Sequence, residues 1–209
     1  MALGALALVA TIGIGSTYAY FTDDDTAENA VTMGHLEVSL VQTVDGADED
    51  GYIHNAAPGD EVNAHPIYQV ADDSLSAYAR IKIAVLGSED LESKDASELT
   101  EKEAAYLQDL DDLRILINDA LMEKGWIEGE GGFLYWEEEL APGESLALYD
   151  GFTIPLSWGN EASGQEFRIK ITAEGIQAAN FALRSVDGVL GWYGSDDAPV
   201  SVESYVVAE

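Results

Sequence analysis

The chain contains no cysteine. Disulfide frameworks, thiolate metal sites and cysteine nucleophiles are therefore excluded, and the fold must be held together by its hydrophobic core. A chain of 209 residues with 47% hydrophobic composition can form such a core, and its length favours one main domain with or without an insertion. The sequence also lacks any Asn-x-Ser/Thr acceptor for N-glycosylation.

Positive charge is scarce. The chain has 9 Lys and Arg residues against 40 Asp and Glu residues, which gives a formal charge of −31. Because no basic cluster opposes this field, we expect no nucleic-acid partner. An acidic coat keeps a protein soluble at high concentration, and it also suits the uptake of divalent cations outside the cell. Solubility is the simpler of these two interpretations.

Motifs for catalysis are also lacking. The histidines are His35, His54 and His65, and none belongs to the His-Glu-x-x-His arrangement of zinc peptidases. There is no Gly-x-Ser-x-Gly nucleophile motif and no phosphate-binding glycine loop with lysine. The consecutive acids Glu137–Glu139 point to alternate faces if they lie on a strand, which argues against a working carboxylate pair. We predict no catalytic residues and a protein that is not an enzyme.

One acidic loop contains carboxylates that could bind calcium. Asp45, Asp48 and Asp50 are the candidate ligands. Aligning the loop with an EF-hand places Gly46 at the first ligand position and Ala57 at the position of the bidentate glutamate, so that motif is excluded. A looser oxygen site would make Ca²⁺ the only candidate cofactor. A solvated acidic hairpin tip is the simpler interpretation.

The chain begins with an apolar stretch. No residue before Asp23 is charged, and residues 2–14 are almost entirely Ala, Leu, Val, Ile and Gly. An apolar run that ends in small residues is typical of a secretory signal peptide. As a helix, the segment that ends at Thr22 would be ~33 Å long, enough to cross a bilayer. Residues 1–20 therefore have three open fates, namely cleavage near Ala19–Phe21, retention as a membrane anchor, or packing within an assembly, and each implies export.

The remaining sequence is dominated by strand patterns. Apolar residues alternate with polar ones at 77–85 and again at 167–173, which is typical of strands with one buried face. Turn residues such as Pro58-Gly59-Asp60 separate such segments. The predicted strands span residues 36–40, 62–70, 77–85, 133–136, 146–156, 167–173 and 200–207. This pattern predicts a mainly β fold, an antiparallel β-sandwich of the jelly-roll type.

A helical insertion interrupts the strands at about residues 95–125. Thr100 and Glu103 form a capping-box signature, and Lys124-Gly125 is a typical helix end. Acids at Asp109 to Asp112 leave open a division into two helices. One stripe of apolar residues recurs at three- and four-residue spacing, and it predicts a lid packed on the sandwich. The stripe consists of Leu107, Leu110, Leu113, Ile117 and Leu121.

Six segments in order carry a family resemblance. They are Gly15–Asp23 (GSTYAYFTD), Met33–Val38 (MGHLEV), Pro58–Val62 (PGDEV), Ala77–Ile83 (AYARIKI), Leu140–Ser145 (LAPGES) and Phe167–Phe181 (FRIKITAEGIQAANF). Together they resemble the TasA and camelysin family, whose members are exported through the signal peptidase SipW. The helical insertion and the tail beyond Phe181 depart from the family pattern.

The resemblance implies a secreted structural subunit of a biofilm-matrix or cell-surface fibre. Its mature N-terminal segment would complete the sheet of the next subunit, by donor-strand exchange. On this chain, residues 1–20 are the signal-like segment, residues 21–32 the donor, and residues 33–209 the sandwich domain. The implied donor residues are Phe21, Thr22, Asp23, Ala27, Ala30 and Val31. The implied partners are other copies, head to tail, and other matrix components, with membrane contact only through a retained 1–20.

Two other functions remain open. Some camelysin-like proteins are labelled metallopeptidases, so a surface metallopeptidase is one alternative. A monomeric adhesin or carbohydrate-binding module is the other, because aromatic side chains can stack on sugars. The candidate aromatics are Phe133, Tyr135, Trp136 and Trp158.

Four of the nine basic residues lie on the polar faces of two predicted strands. They are Arg80, Lys82, Arg168 and Lys170. If the strands are neighbours, these residues form a cationic patch on an acidic protein. We expect the patch to pair with acids, either those of its own chain or those of another subunit, such as Asp23 to Asp25.

Overall fold

The computed structural model describes residues 36–179 and 181–194. The signal-like segment 1–20, the donor segment 21–32, His35 and the predicted strand at 200–207 lie outside the described residues.

The mainly β architecture predicted from the sequence is confirmed, with helices between the fifth and sixth strands. The strands are β1 Val38–Val41, β2 Ile53–His54, β3 Glu61–Asn63, β4 Ile67–Val70, β5 Ala77–Leu86, β6 Ile127–Glu128, β7 Leu134–Tyr135, β8 Ser145–Ala147, β9 Gly151–Thr153, β10 Glu166–Gln177, β11 Ala182–Val186 and β12 Val189–Tyr193. The helices are α1 Glu89–Glu92 and α2 Glu101–Glu123, and a 3₁₀ turn spans Glu130–Gly132.

The first layer of the sandwich consists of short strands. β4 lies between β1 and β8, and β3 pairs with β9, all antiparallel. The predicted strand at 62–70 is divided into β3 and β4 because Pro66 cannot donate to a strand ladder. The predicted strand at 146–156 is likewise divided, into β8 and β9. A bridge between Val44 and Ala64 extends the line of β1 towards β3.

The second layer is built around two long strands. Its order is β2-β10-β5-β7-β6, and β5 pairs with β10 without interruption from Arg168–Leu86 to Gln177–Ala77. The inward residues predicted by the alternation are buried; Ile81 and Phe167, for example, expose 0% and 1% of their surface. The two predicted strands are therefore neighbours at the centre of the molecule.

The helical insertion forms one long helix. Both hydrogen bonds of the capping box at Thr100 and Glu103 are present, and the acids at 109–112 do not interrupt α2. Leu110, Leu113 and Ile117 are buried in the main core, and α2 packs against β5. The stripe therefore lies against the sandwich, as its spacing predicted.

A hairpin of β11 and β12 covers part of the outer face of the second sheet. Trp192 is 1% exposed and packs with Tyr135 and Ile176 in a second, smaller core. The strands predicted from the sequence do not include this hairpin. Its signal was the Asp187-Gly188 turn, in which both residues have positive φ, since such pairs favour a two-residue hairpin loop.

Candidate functional site

The most distinctive feature of the sandwich is the outer edge of β10, the edge that faces away from β5. β2 pairs there with Glu166 and Phe167 only. No other strand of residues 36–179 and 181–194 pairs with this edge between Arg168 and Ile176. Every second residue of an antiparallel strand directs its N–H and C=O to the same edge, so this stretch has backbone groups without a described strand partner.

The last part of this edge is buried. Glu174 and Ile176, near the end of β10, are 3% and 1% exposed, whereas Arg168, Lys170 and Thr172 are partly exposed. The hydroxyl of Tyr68 donates to the carbonyl oxygen of Glu174 at 3.2 Å, which satisfies one backbone group from the opposite layer. Buried backbone groups in folded proteins are nearly always paired. The other residues that face this edge have no partner among the described strands, and an added strand can pair with their backbone groups.

The two layers are in close contact at one end of β10. A Cβ atom on Gly175 would lie 2.8 Å from Cγ1 of Val38 and 2.9 Å from the hydroxyl oxygen of Tyr68. Only glycine permits this approach, because real Cβ atoms essentially never come so close to other heavy atoms. The contact fixes β1 of the first layer over the last residues of β10.

Towards the start of β10 the layers separate into a cleft of about 1120 Å³. We call this space the β1–β10 cleft. Its walls are residues 42–44, which follow β1, the acidic loop, the start of α1, and the first residues of β10. Ile169, which is 8% exposed, contributes apolar surface to it. No pattern in the sequence indicated that these segments meet, because they are distant along the chain.

The acidic loop is held against β10 by His54. Its Nε2 lies 2.7 Å from Oδ2 of Asp48, and its Nδ1 lies 3.1 Å from Oε2 of Glu166. The hydrogen bond to Asp48 is the main reason that the pKa of His54 is raised and that the pKa of Asp48 is lowered. A neutral imidazole has only one N–H, so only the protonated ring can donate to both carboxylates.

Two of the three calcium candidates, Asp45 and Asp48, make hydrogen bonds through their side chains. Oδ1 of Asp48 accepts from the backbone N–H groups of Asp50 and Tyr52, and Asp45 faces the amide of Asn63 at 3.4 Å. Within residues 36–179 and 181–194, no group of three or more His, Asp and Glu side chains is arranged to hold a metal ion.

The four residues of the predicted cationic patch have different environments. Arg80 is only 6% exposed, and its Nε lies 2.6 Å from Oε2 of Glu174, the residue opposite it on β10. Its guanidinium carbon lies 4.2 Å and 4.4 Å from the ring centroids of Phe133 and Trp192. Arg80 therefore lies beneath the β11–β12 hairpin and is not part of a surface patch, because tertiary packing covers the face that alternation predicted to be polar.

Lys82, Arg168 and Lys170 are not covered in this way. Lys82 is exposed and donates to the carbonyl oxygen of Gly131 at 3.0 Å. Arg168 stacks over Tyr52 at 4.9 Å and makes a long ion pair of 3.8 Å with Glu92. Arg168 and Lys170 both line the β1–β10 cleft.

The aromatic residues considered for sugar binding do not form an exposed platform. Tyr135 and Trp158 are 0% and 4% exposed, and Trp158 packs edge-on against Phe167. Trp136 is partly buried against Trp126. Phe133 is covered by Arg80 and Lys82. These side chains belong to the two cores or support them.

Neither helix in the described part of the chain has the length and apolarity needed to span a membrane. The chain matches no protein-family model, and comparison with curated proteins and with solved structures gives no significant match.

Proposed function

We propose that this protein is a secreted structural subunit that polymerises into fibres by strand donation. The observation that carries the proposal is the outer edge of β10, where β2 occupies only two positions of a twelve-residue strand. A strand inserted beside Arg168 to Ile176 would pair the backbone groups of this edge and fill the space between the layers.

The length of the edge fits the proposed donor. At about 3.4 Å per residue, the nine positions from Arg168 to Ile176 extend over about 31 Å. Residues 21–32, the segment that the family resemblance assigns as donor, extend over about 41 Å at the same rise. One such segment can therefore cover the whole unpaired stretch and still leave residues to connect two subunits.

The composition is consistent with this role. The donor segment, Phe-Thr-Asp-Asp-Asp-Thr-Ala-Glu-Asn-Ala-Val-Thr, contains few large apolar residues and would bury little surface on its own. Backbone hydrogen bonds, which do not depend on the side chains, would supply much of its affinity for a sheet edge. The strongly acidic body would limit association through other surfaces.

The test uses proline in the donor segment. Ala27→Pro with Ala30→Pro removes two backbone N–H donors from a strand that must pair along its length. The matched control, Ala27→Ser with Ala30→Ser, keeps both. We expect filaments by electron microscopy from the native protein and from the serine control, and only soluble monomers from the proline variant.

Two results would refute the proposal. One is filaments of normal length from the proline variant, or from a chain lacking residues 21–32. The other is a native protein that stays monomeric at every concentration in light scattering, which would indicate that the chain completes its own sheet.

A further inference from the structure

Strand donation by itself does not fix the register of the donor. Backbone hydrogen bonds are independent of sequence, and a slip of two residues keeps every side chain on the same face. A donor with small side chains such as Ala27 and Ala30 is poorly specified by packing. If strands are donated as proposed above, other groups must select the register, and charge can do so.

The β1–β10 cleft contains two basic residues with few acidic partners in their own chain. Lys170 makes no ion pair with any residue of the described part of the chain. Arg168 makes only the long ion pair with Glu92, and its Nε is buried without a hydrogen-bond partner in the same part. In a protein with 40 acidic residues and 9 basic ones, such weak pairing is unexpected.

The remaining charged residues around the cleft are acidic. They are Asp48, Glu49 and Asp50 of the loop, Glu89 and Asp90 of α1, and Glu166 of β10. An acidic side chain placed next to these residues would be repelled, whereas one next to Arg168 or Lys170 would be attracted. The cleft therefore discriminates between positions of an incoming acid along β10.

The donor segment has its acids at one end. Asp23 to Asp25 are consecutive, and Ala30-Val31 follow five to six residues later. β10 has the same order, with Arg168 and Lys170 at its start and the buried Ala173 and Ile176 further along. The two patterns coincide when both strands run in the same direction, with the acids next to the basic pair.

We propose that Arg168 and Lys170 set the register of strand donation by binding the acidic run Asp23 to Asp25 of a neighbouring subunit. The apolar end of the donor then lies along the buried half of β10. Arg80 and Lys82, the other two members of the predicted patch, take no part, because Arg80 is paired with Glu174 and Lys82 lies beside Phe133.

The decisive experiment is a reciprocal charge reversal. Arg168→Glu with Lys170→Glu reverses the acceptor, and Asp23→Lys with Asp24→Lys and Asp25→Lys reverses the donor. A third variant carries both sets. Each single reversal is expected to lower the rate of fibre growth, followed by light scattering, by about tenfold or more. The chain with both reversals is expected to recover most of that loss.

The matched control for the acceptor reversal makes the same change in net charge at positions outside the cleft. Lys102→Glu with Lys124→Glu alters two exposed lysines at the ends of α2 by the same total charge. This control should polymerise at close to the native rate. An equal loss in the control, or no recovery in the doubly reversed chain, would overturn the inference.

Because the chain has no cysteine, the register can also be read by disulfide cross-linking. Side chains alternate along a strand, so a parallel register that places Asp23 beside Arg168 also places Asp25 beside Lys170 and Ala27 beside Thr172. Ala27→Cys with Thr172→Cys should then link subunits in the fibre, and Ala27→Cys with Glu166→Cys should not. The opposite result would exclude this register.

Failure of this inference and failure of the proposed function are distinguishable. If the proline variant of the donor is monomeric but charge reversal has no effect, donation stands and the register has another origin. If the proline variant polymerises, donation itself is refuted. If the reversals lower the melting temperature of the monomer and not the growth rate, the acids act within one chain and the proposed contact between subunits is excluded.

Discussion

The buried ion pair between Arg80 and Glu174 gives the sharpest prediction about stability. Glu174 is 3% exposed, and both Nε and Nη2 of Arg80 lie close to its Oε2 atom, at 2.6 Å and 2.5 Å. Nη1 of Arg80 also donates to the hydroxyl of Tyr135 at 3.0 Å. The substitution Glu174→Gln removes the negative charge and leaves the guanidinium buried without a counter-ion.

The expected cost of Glu174→Gln is about 3–5 kcal/mol in the free energy of unfolding, the range for breaking a buried pair at one partner. Replacing both residues, with Arg80→Met and Glu174→Leu, removes the desolvation penalty together with the attraction. That double variant is expected to be within about 1 kcal/mol of the native protein, or more stable. The pair should therefore show strong non-additivity in a double-mutant cycle.

Urea denaturation monitored by two probes measures the free energy of unfolding of each variant. Tryptophan fluorescence reports partly on Trp192, whose ring lies 4.4 Å from the Arg80 guanidinium carbon, and far-ultraviolet circular dichroism reports on the whole sheet. A cost below about 1 kcal/mol for Glu174→Gln, the value for exposed pairs, would refute the burial argument. A double variant as unstable as the single one would refute the desolvation argument.

Two further predictions concern packing and pH. Gly175→Ala should cost about 1–3 kcal/mol in urea denaturation, because its Cβ would meet Val38 and Tyr68, and Val38→Ala should recover part of that loss. Burial, followed by a neighbouring carboxylate, raises the pKa of Asp109 to about 6, so stability should fall as pH rises from about 4 to about 6. Asp109→Asn should therefore raise the free energy of unfolding by about 1 kcal/mol at pH 7, a value reduced by the partial exposure of the side chain, and this gain should disappear near pH 4. The control Asp119→Asn, at an exposed position, should change the free energy of unfolding by less.

The sequence predicted those parts of the fold whose causes are local. The alternation at 77–85 and 167–173 identified β5 and β10, because each needed one buried face. The capping box at Thr100 located the start of α2, because its two hydrogen bonds involve only residues of the first turn. The boundaries of the strand predicted at 62–70 were less accurate, because Pro66 interrupts the hydrogen-bond ladder although the chain continues in the same direction.

The parts that were missed depend on contacts distant in sequence. Arg80 and Lys82 occupy equivalent positions in the alternation, yet Arg80 is buried and Lys82 is exposed. The difference arises from the β11–β12 hairpin, which comes about a hundred residues later and covers one position but not the other. Alternation predicts the face on which a side chain lies, and it cannot predict what packs on that face.

The candidate site was predicted in part. The sequence identified four basic residues on two neighbouring strands, and their strands are indeed paired. It did not predict the β1–β10 cleft, because the cleft depends on where the layers separate. The layers are in close contact at the other end of β10, at Gly175, a position with no recognisable turn or loop signature in the sequence.

Strand donation also offers a physical reason for combining a charge of −31 with assembly. Repulsion between acidic bodies is screened beyond about 8 Å at physiological ionic strength, but it opposes any close lateral approach. Backbone pairing inside a cleft acts only at contact, and two basic residues there would lower the local repulsion. Fibres would then grow in length, whereas lateral association would be opposed by charge repulsion. Because salt screens this repulsion, raising the ionic strength should increase the thickness of fibre bundles more than the length of single fibres.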